Sequence, residues 1–364
     1  EFLSNERAKN KYLTLRNNKL VYFSIIHKFS KLDRVYSKTP FIPKENKPSR
    51  YELILKMQAS ALQKRIRHVN PKTLVLGVSG GLDSTLALLV AVRAMKNENR
   101  SLEDIVAITM PCFGTTSRTK NNATVLAENL GVTFKEINIK NSVLSHFNDI
   151  SQNVNDLDVT YENSQARERT QVLMDYANKT GGLVLGTGDL SEMALGWATY
   201  NGDHMSMYSV NASIPKTLLR ELVEYESDNL NRLAKERVID ILSTPVSPEL
   251  IPPKNNEITQ KTEDIVGPYI LHDFYIYHAL RGGFKPSKIL YIAENAFKGE
   301  FDKKTLYKWL KNFYNRFFVQ QFKRSCVPDG AKLGSVGLSP RGDLVMPSDA
   351  SKIEWIKDLE SIEI

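Results

Sequence analysis

The sequence predicts an α/β protein built on a parallel sheet flanked by helices. Three observations carry this. Short continuous apolar runs at 74–78, 105–110 and 183–186 read as strands covered on both faces, the pattern of parallel sheets. These runs alternate with helical stretches, which makes the connections right-handed crossovers. Three of the strands run straight into polar loops, 79–84, 111–118 and 187–192, and ligands of such sheets sit outside the carboxyl ends of the strands.

Taken in order, residues 1–45 are polar and basic, with one strand-like run at 20–26. They read as a trailing piece and linker that cannot bury a core of its own. Residues 49–68 read as a helix with Leu53, Leu55, Met57, Ala61, Leu62 and Ile66 mainly on one side. Strand 74–78 turns through Ser79-Gly80-Gly81-Leu82-Asp83-Ser84 into an apolar helix starting at Thr85. Strand 105–110 leads to a loop and a helix from Thr119, capped by Gly131. A third strand is expected at 133–139, and a helix at 160–180 closed by Gly181-Gly182. Strand 183–186 follows. The run 210–217 reads as strand, turn, then a helix with Pro215 at its first position. Residues 230–315 are expected to be mostly helical, broken by Pro245, Pro248, Pro252 and Pro253. The Gly/Pro-rich stretch 326–350 reads either as a functional loop, mobile without substrate, or as disorder. Residues 351–364 hold one short helical face.

Composition narrows the class. The chain has 364 residues, enough for one large domain with an appendage. A formal charge of +8 suits anionic ligands, but the basic residues are scattered and form no block interleaved with aromatics, which argues against nucleic acid. Cys112 and Cys326 make no C-x-x-C pair and no metal-ligand spacing with the six histidines. Two free thiols in a reducing, cytoplasmic compartment is the expectation. No run is long and apolar enough to span a bilayer, and the first residues have no signal-peptide pattern.

The chemistry gathers at the first loop. Gly80 and Gly81 let the backbone close around an anion, and Ser79, Ser84 and Thr85 add hydroxyls beside the free N–H groups of a helix N-terminus. The Walker pattern is absent. A ligand-free glycine turn is the competing reading, but it leaves Asp83 unexplained. A carboxylate beside a phosphate calls for a divalent cation between them. Glu192, at another strand end, is a second carboxylate for the same cation; its plainer reading is a first-turn carboxylate favoured by the helix dipole. Thr187 offers a hydroxyl contact. Lys216 reaches phosphate oxygens if it faces inward and only solvent if it does not. Lys323 and Arg324 precede the 326–350 stretch and would be carried by it as a lid.

The string Ser79-Gly80-Gly81-Leu82-Asp83-Ser84 resembles the SGGxDS signature of the ATP pyrophosphatase group, which cleaves ATP between its α and β phosphates. Longer strings resemble the family of NAD synthetases: 111–123, 185–200, 203–217, 321–325 and 338–349. The forms at 186–192 and 197–200 are similar to its glutamine-dependent branch. Cys112-Phe113 departs from the Gly-Phe frequent there. The resemblance implies a five-stranded parallel sheet of the adenine nucleotide alpha-hydrolase-like, Rossmann-like type. It implies ATP-dependent amidation of deamido-NAD to NAD through an acyl-adenylate, with ammonia supplied from glutamine by a preceding glutaminase domain. That domain is expected to be missing here, with 1–45 as its remnant and 46–364 as the synthetase. The fragment is then expected to be ammonia-dependent.

The same resemblance implies the site. Gly77, Val78, Ser79, Gly80, Gly81, Leu82, Asp83, Ser84, Thr187 and Lys216 would bind ATP, with Lys216 on its phosphates. Asp83 and Glu192 would hold Mg²⁺. Asn163, Glu192, Trp197, Ala198, Thr199, Tyr200 and Lys323 would bind deamido-NAD, with Trp197 as a stacking face. No covalent nucleophile is required. The implied partners are these substrates and a second copy of the chain, in a homodimer or larger homo-oligomer. A tRNA-thiolating member of the same group is the rival; it would need catalytic cysteines and a basic RNA surface. A nucleotide-binding module without catalysis is a second rival. It is disfavoured because the glycines and carboxylates of a working site are all present.

Overall fold

Among the described residues five short strands lie side by side, all parallel, in the order β3-β2-β1-β4-β5. They are β1 (Thr73–Gly77), β2 (Ile105–Thr109), β3 (Thr133–Glu136), β4 (Gly182–Gly186) and β5 (Tyr208–Ser209). The computed structural model describes residues 32–245, 247, 250–252 and 262–364. The run at 20–26, Pro248 and Pro253 fall outside the described residues. The chain divides into two units, Glu1–Val35 and Tyr36–Ile364. Residues 32–35 of the first hold no regular element, and all that follows concerns the second.

Alternating strand residues explain the layers. Leu74, Leu76, Ile105, Ala107, Leu183 and Leu185 belong to one core. That core takes in α1 (Lys47–Val69), α2 (Leu82–Asn97) and α3 (Ser117–Leu130) through Leu55, Leu62, Leu86 and Leu126. Val75, Val106, Ile108 and Val184 belong to a second core, with Val143 and Phe147 of α4 (Lys140–Asp149) and Tyr161 and Ala177 of α5 (Val159–Thr180). A period of two along each strand thus feeds two helical layers. After β4 come α6 (Leu190–Leu195), then α7 (Lys216–Ser227) and α8 (Arg232–Ser243), whose Leu219, Leu222 and Val238 join the first core.

The C-terminal part is helical where its sequence predicts it, in α9 (Thr262–Val266), α10 (Tyr269–Ile276), α11 (Pro286–Ala296) and α12 (Lys303–Val319), then adds a short α13 (Gln321–Arg324) outside the expected stretches before the expected terminal α14 (Ile353–Glu360). Helix α10 buries every residue except Ile270. A helix apolar nearly all round is a core helix, and here Phe274 and Tyr275 meet Phe297 and Phe313 edge-on or tilted at 5.3 and 6.1 Å. Among the described residues no helix is long and apolar enough to cross a membrane.

The topology positions the site. β1 leads outward to β2 and β3, and the chain then returns to the other side of β1 to form β4. The order reverses between β1 and β4, so the loops after these two strands diverge and leave a crevice, where open α/β sheets bind ligands. The structure also moves several expected boundaries. Helix α2 begins at Leu82, not Thr85, because Gly81 is already extended (φ −95°, ψ 169°) and its carbonyl accepts the Thr85 N–H at 3.1 Å. Asp83 therefore sits in the first turn of a helix. Strand β3 ends at Glu136, short of residue 139. The strand expected at 210 ends at Ser209, and Pro215 is the N-cap of α7 rather than its first residue.

The 326–350 segment holds no regular secondary structure, yet it is well anchored. Val327, Val336 and Leu338 are buried. Residues 328–330 lie along the outer side of β5, where Ser209 N donates to Asp329 O at 2.8 Å. Asp329 also pairs with Arg65 and Arg341, both at 2.8 Å.

Candidate active site at the β1–β4 crevice

The loop after β1 is shaped by Gly80. Its φ is +80°, and a Cβ there would lie 2.1 Å from the Thr119 carbonyl oxygen in the first turn of α3. Only a residue without a side chain fits. Ser79 Oγ accepts from Gly81 N at 3.1 Å, and the Ser84 and Thr85 hydroxyls donate to Gly81 O at 3.1 and 2.9 Å. Helix α2 has no side-chain cap at its N-terminus, which leaves first-turn N–H groups facing the crevice as an anion cradle. Gly80→Ala is expected to cost about 2–4 kcal/mol, from left-handed backbone strain plus overpacking. A urea melt with an unchanged midpoint would show that the loop relaxes freely.

Asn211 ties the crevice together. Fully buried after β5, its Nδ2 donates to Asp83 O and to Thr187 O, both at 3.0 Å. One amide thus fixes the loop after β1 to the loop after β4. Gln58 of α1 donates in turn to Asn211 Oδ1 at 3.3 Å.

At the centre is Lys216, the first residue of α7 and only 5% exposed. Its Nζ lies 2.7 Å from Asp83 Oδ1, 2.8 Å from Asp189 Oδ2 and 3.0 Å from Glu192 Oε1. The Tyr269 ring of α10 lies 5.2 Å from the same ammonium. Asp189 is fully buried and is the N-cap of α6; its Oδ1 accepts from Glu192 N at 2.7 Å. It therefore caps with one oxygen and meets Lys216 with the other. Burial pushes the Asp189 carboxyl well up, against the pull of Lys216. Burial likewise pushes Glu192 up to about 7, with Asp83 adding to the rise and Lys216 opposing it. Burial disfavours the Lys216 charge, but Asp189, Asp83 and Glu192 outweigh it and hold the ammonium well above its ordinary range.

One oxygen each from Asp83, Asp189 and Glu192 lies within 4.8 Å of the others. Three carboxylates against one ammonium leave a formal charge of −2 (−3 + 1) if all are ionised. Such a group, with Asp189 buried and Asp83 and Glu192 half-buried, takes up a proton or a cation. The donor set is all carboxylate oxygen, which suits Mg²⁺ and not a soft metal.

A second group lies at the other end of α6, roughly 9 Å along the helix axis at 1.5 Å per residue. Gly196 caps α6 in the left-handed region (φ 58°), and Trp197 to Tyr200 follow. Lys323 donates to the carbonyls of Gly196 and Ala198 at 2.9 and 2.6 Å. Burial, with Arg316 nearby, lowers its pKa. Asn163 Oδ1 accepts from Thr199 Oγ1 at 2.7 Å, and Asp203 accepts from Thr199 N at 2.8 Å. Arg316 lies over the Trp197 ring at 5.3 Å. Tyr200 is exposed and stacks on His204 at 5.0 Å.

The expected site residues thus fall into two sets, Gly77–Ser84 with Thr187, Glu192 and Lys216, and Asn163 with 197–200 and Lys323. Lys216 faces inward as expected, but onto carboxylates. Lys323 does not hang on a lid; it braces the turn carrying Trp197. Sequence reasoning missed Asp189, Asn211 and Asp273. Asp189 had a signal: an Asp three residues before Glu192 at a helix start, which capping alone could account for. Cys112 and Cys326 are free thiols and do not pair.

Comparison with known proteins bears on this arrangement. The family model described as NAD synthase matches residues 54–244. A glutamine-dependent NAD(+) synthetase of Mycobacterium leprae is 43% identical over 357 residues, covering 90% of this chain and 52% of that protein. The chain therefore spans about half the length of the curated relatives it matches. A solved glutamine-dependent NAD(+) synthetase from Cytophaga hutchinsonii superposes with a TM-score of 0.69 at 17% identity, over 86% of this chain and 56% of that one. An NMN synthetase from Francisella tularensis superposes with a TM-score of 0.54 at 22% identity, over 70% of this chain and 95% of that one. These two likenesses concern the fold alone.

Proposed function

The chain belongs to the NAD synthase family, and from that premise we propose that it amidates deamido-NAD to NAD at the expense of ATP. The nicotinate carboxylate oxygen attacks the α-phosphorus, and the bond to the β-phosphate oxygen breaks, releasing pyrophosphate. Ammonia then attacks the activated carbonyl carbon, AMP leaves, and the nitrogen sheds its proton to solvent. The observation that carries the reading is the cluster of Asp83, Asp189, Glu192 and Lys216 beside an open helix N-terminus.

Each step assigns work to residues of this chain. The first-turn N–H groups of α2, with Ser79 and Ser84, hold phosphate oxygens. Lys216, with three donors, shares them with its carboxylates. Gly77, Val78 and Thr187 line the nucleotide side. Asp83 and Glu192, with Asp189 added, would hold Mg²⁺, which when bound offsets charge developing on the pyrophosphate. Trp197 offers a face for the nicotinate ring, and Asn163, Ala198, Thr199 and Tyr200 frame the dinucleotide. Lys323 acts by holding that turn in place. No protein nucleophile is needed. Residues 46–364 would form the synthetase part, working in the cytoplasm as a homodimer or larger assembly. Ammonia would come from a glutaminase domain of a longer chain, so this stretch alone should use ammonium.

The test is direct. The purified chain with deamido-NAD, ATP, Mg²⁺ and ammonium should give NAD, AMP and pyrophosphate in equal amounts, and no NAD when glutamine replaces ammonium. AMP and pyrophosphate without amidated product would sink the reading. Nicotinate mononucleotide belongs in the same assay, since the fold also serves an NMN synthetase. Preference for it over deamido-NAD would change the substrate.

A further inference from the structure

We propose that Asp273 is a positioning residue for the reacting cluster, setting Lys216 and Glu192 through the chain Asp273–Ser191–Lys216. The proposal rests on the amidation reading above. Asp273 lies on α10, outside residues 54–244 that the family model matches. It is fully buried. One of its oxygens accepts from Ser191 Oγ. The other accepts from Thr217 N at 2.9 Å and from Thr217 Oγ1 at 2.6 Å. Ser191 Oγ in turn accepts from Lys216 N at 2.9 Å.

This arrangement answers a deficit in α7. Its N-cap is Pro215, which offers no side-chain cap. The first two N–H groups of the helix, of Lys216 and Thr217, would be buried without partners. Ser191 Oγ and Asp273 supply them from two other helices. Asp273 is thus a cap delivered from a distance, and the residues it grips adjoin Glu192 on one side and Lys216 on the other. The same helix presents Tyr269 to the Lys216 ammonium at 5.2 Å. Helix α10 therefore addresses Lys216 at both its backbone and its charged end.

All three partners donate to Asp273. Asparagine keeps the shape but turns one acceptor into a donor: aimed at Thr217 it meets the backbone N–H donor to donor, and aimed at Ser191 it strips that hydroxyl of its acceptor. The resulting shift moves Lys216 and Glu192 together. A misplacement of about 1 Å far from the chemistry costs about a hundredfold, and loss of a group that orients metal ligands costs about 10–100-fold in metal affinity.

The experiment compares wild type, Asp273→Asn and Ser191→Ala. Mn²⁺ binding is read by electron paramagnetic resonance with an α,β-methylene analogue of ATP, alongside kcat and KM for deamido-NAD and circular dichroism. Asp273→Asn should stay folded, bind Mn²⁺ at least tenfold more weakly, and lose at least tenfold in kcat with KM for deamido-NAD little changed. A folded Asp273→Asn with wild-type Mn²⁺ binding and kcat overturns the proposal and leaves Asp273 a packing residue. If Asp273→Asn does not fold, Ser191→Ala decides: a tenfold loss in Mn²⁺ binding supports the line, and wild-type values overturn it. A wild-type chain that binds Mn²⁺ with the analogue but makes no NAD counts against the amidation reading alone. One that binds neither overturns both.

Discussion

Replacing Lys216 by methionine should remove about 3–5 kcal/mol of folding stability in the absence of divalent cations, the usual cost of stripping one partner from a buried ion cluster. Methionine keeps the length and the packing and removes the charge. Asp83, Asp189 and Glu192, now 2.7 to 3.0 Å from an ammonium, would face one another uncompensated. The loss should depend on pH. The Glu192 carboxyl is already raised in the folded state, from 4.5 to about 7. A carboxyl whose pKa is raised by folding binds more protons folded than unfolded. Its contribution is therefore complete below about 4.5 and disappears as pH rises through about 7. Without Lys216 the carboxylates depend on protons still more, so the deficit should be larger at pH 8 than at pH 5. Urea melts in EDTA at both pH values measure this, and millimolar Mg²⁺ should restore part of the loss. Coincident melts of variant and wild type in EDTA would mean that the ammonium does not hold the cluster.

Asp83→Ala should behave in the opposite way, with turnover falling by about a thousandfold or more and the fold intact. Asp83 is the second residue of α2 and its side chain is 21% exposed. Lys216 keeps Asp189 and Glu192 when Asp83 is gone, and the Asn211 contact is to the Asp83 carbonyl, which alanine retains. Stability therefore changes little. Catalysis loses a carboxylate at the point where phosphate charge develops, an effect of several kcal/mol or about three decades in rate. Steady-state kcat with saturating ATP and Mg²⁺ measures it, and unchanged turnover would remove Asp83 from the cation site.

The contrast between these two variants shows what could be read from the sequence. The strand, loop and helix around Ser79–Ser84 were legible because backbone requirements, two glycines and a helix start, are local. Glu192 and Lys216 were legible as charged residues at strand or helix ends. Their meeting was not, because it depends on the reversal between β1 and β4 and on a two-residue strand too short to show periodicity. Asp189 was hidden by an adequate local explanation, capping. Asp273 carried no signal at all: it sits beside His272 in a mostly apolar helix, and its partners lie 56 and 82 residues away in the chain. Lys323 was visible as a lysine beside a Gly/Pro-rich stretch. Its two carbonyl partners belong to a turn more than 120 positions earlier.

The strip of chain laid against β5 has a further consequence, for association between molecules. An open sheet exposes unpaired backbone groups at its outer strands, and these recruit strands from other chains. Here the outward N–H of Ser209 is already taken by the Asp329 carbonyl. Gly330 makes the close approach possible, since a Cβ there would lie 2.5 Å from Ser209 O. At the opposite margin β3 is only four residues long and ends in exposed Lys135 and Glu136. One margin is covered and the other is short and charged, so neither invites strand-to-strand growth. The irregular segment that looked like a lid in sequence also guards the sheet against aggregation.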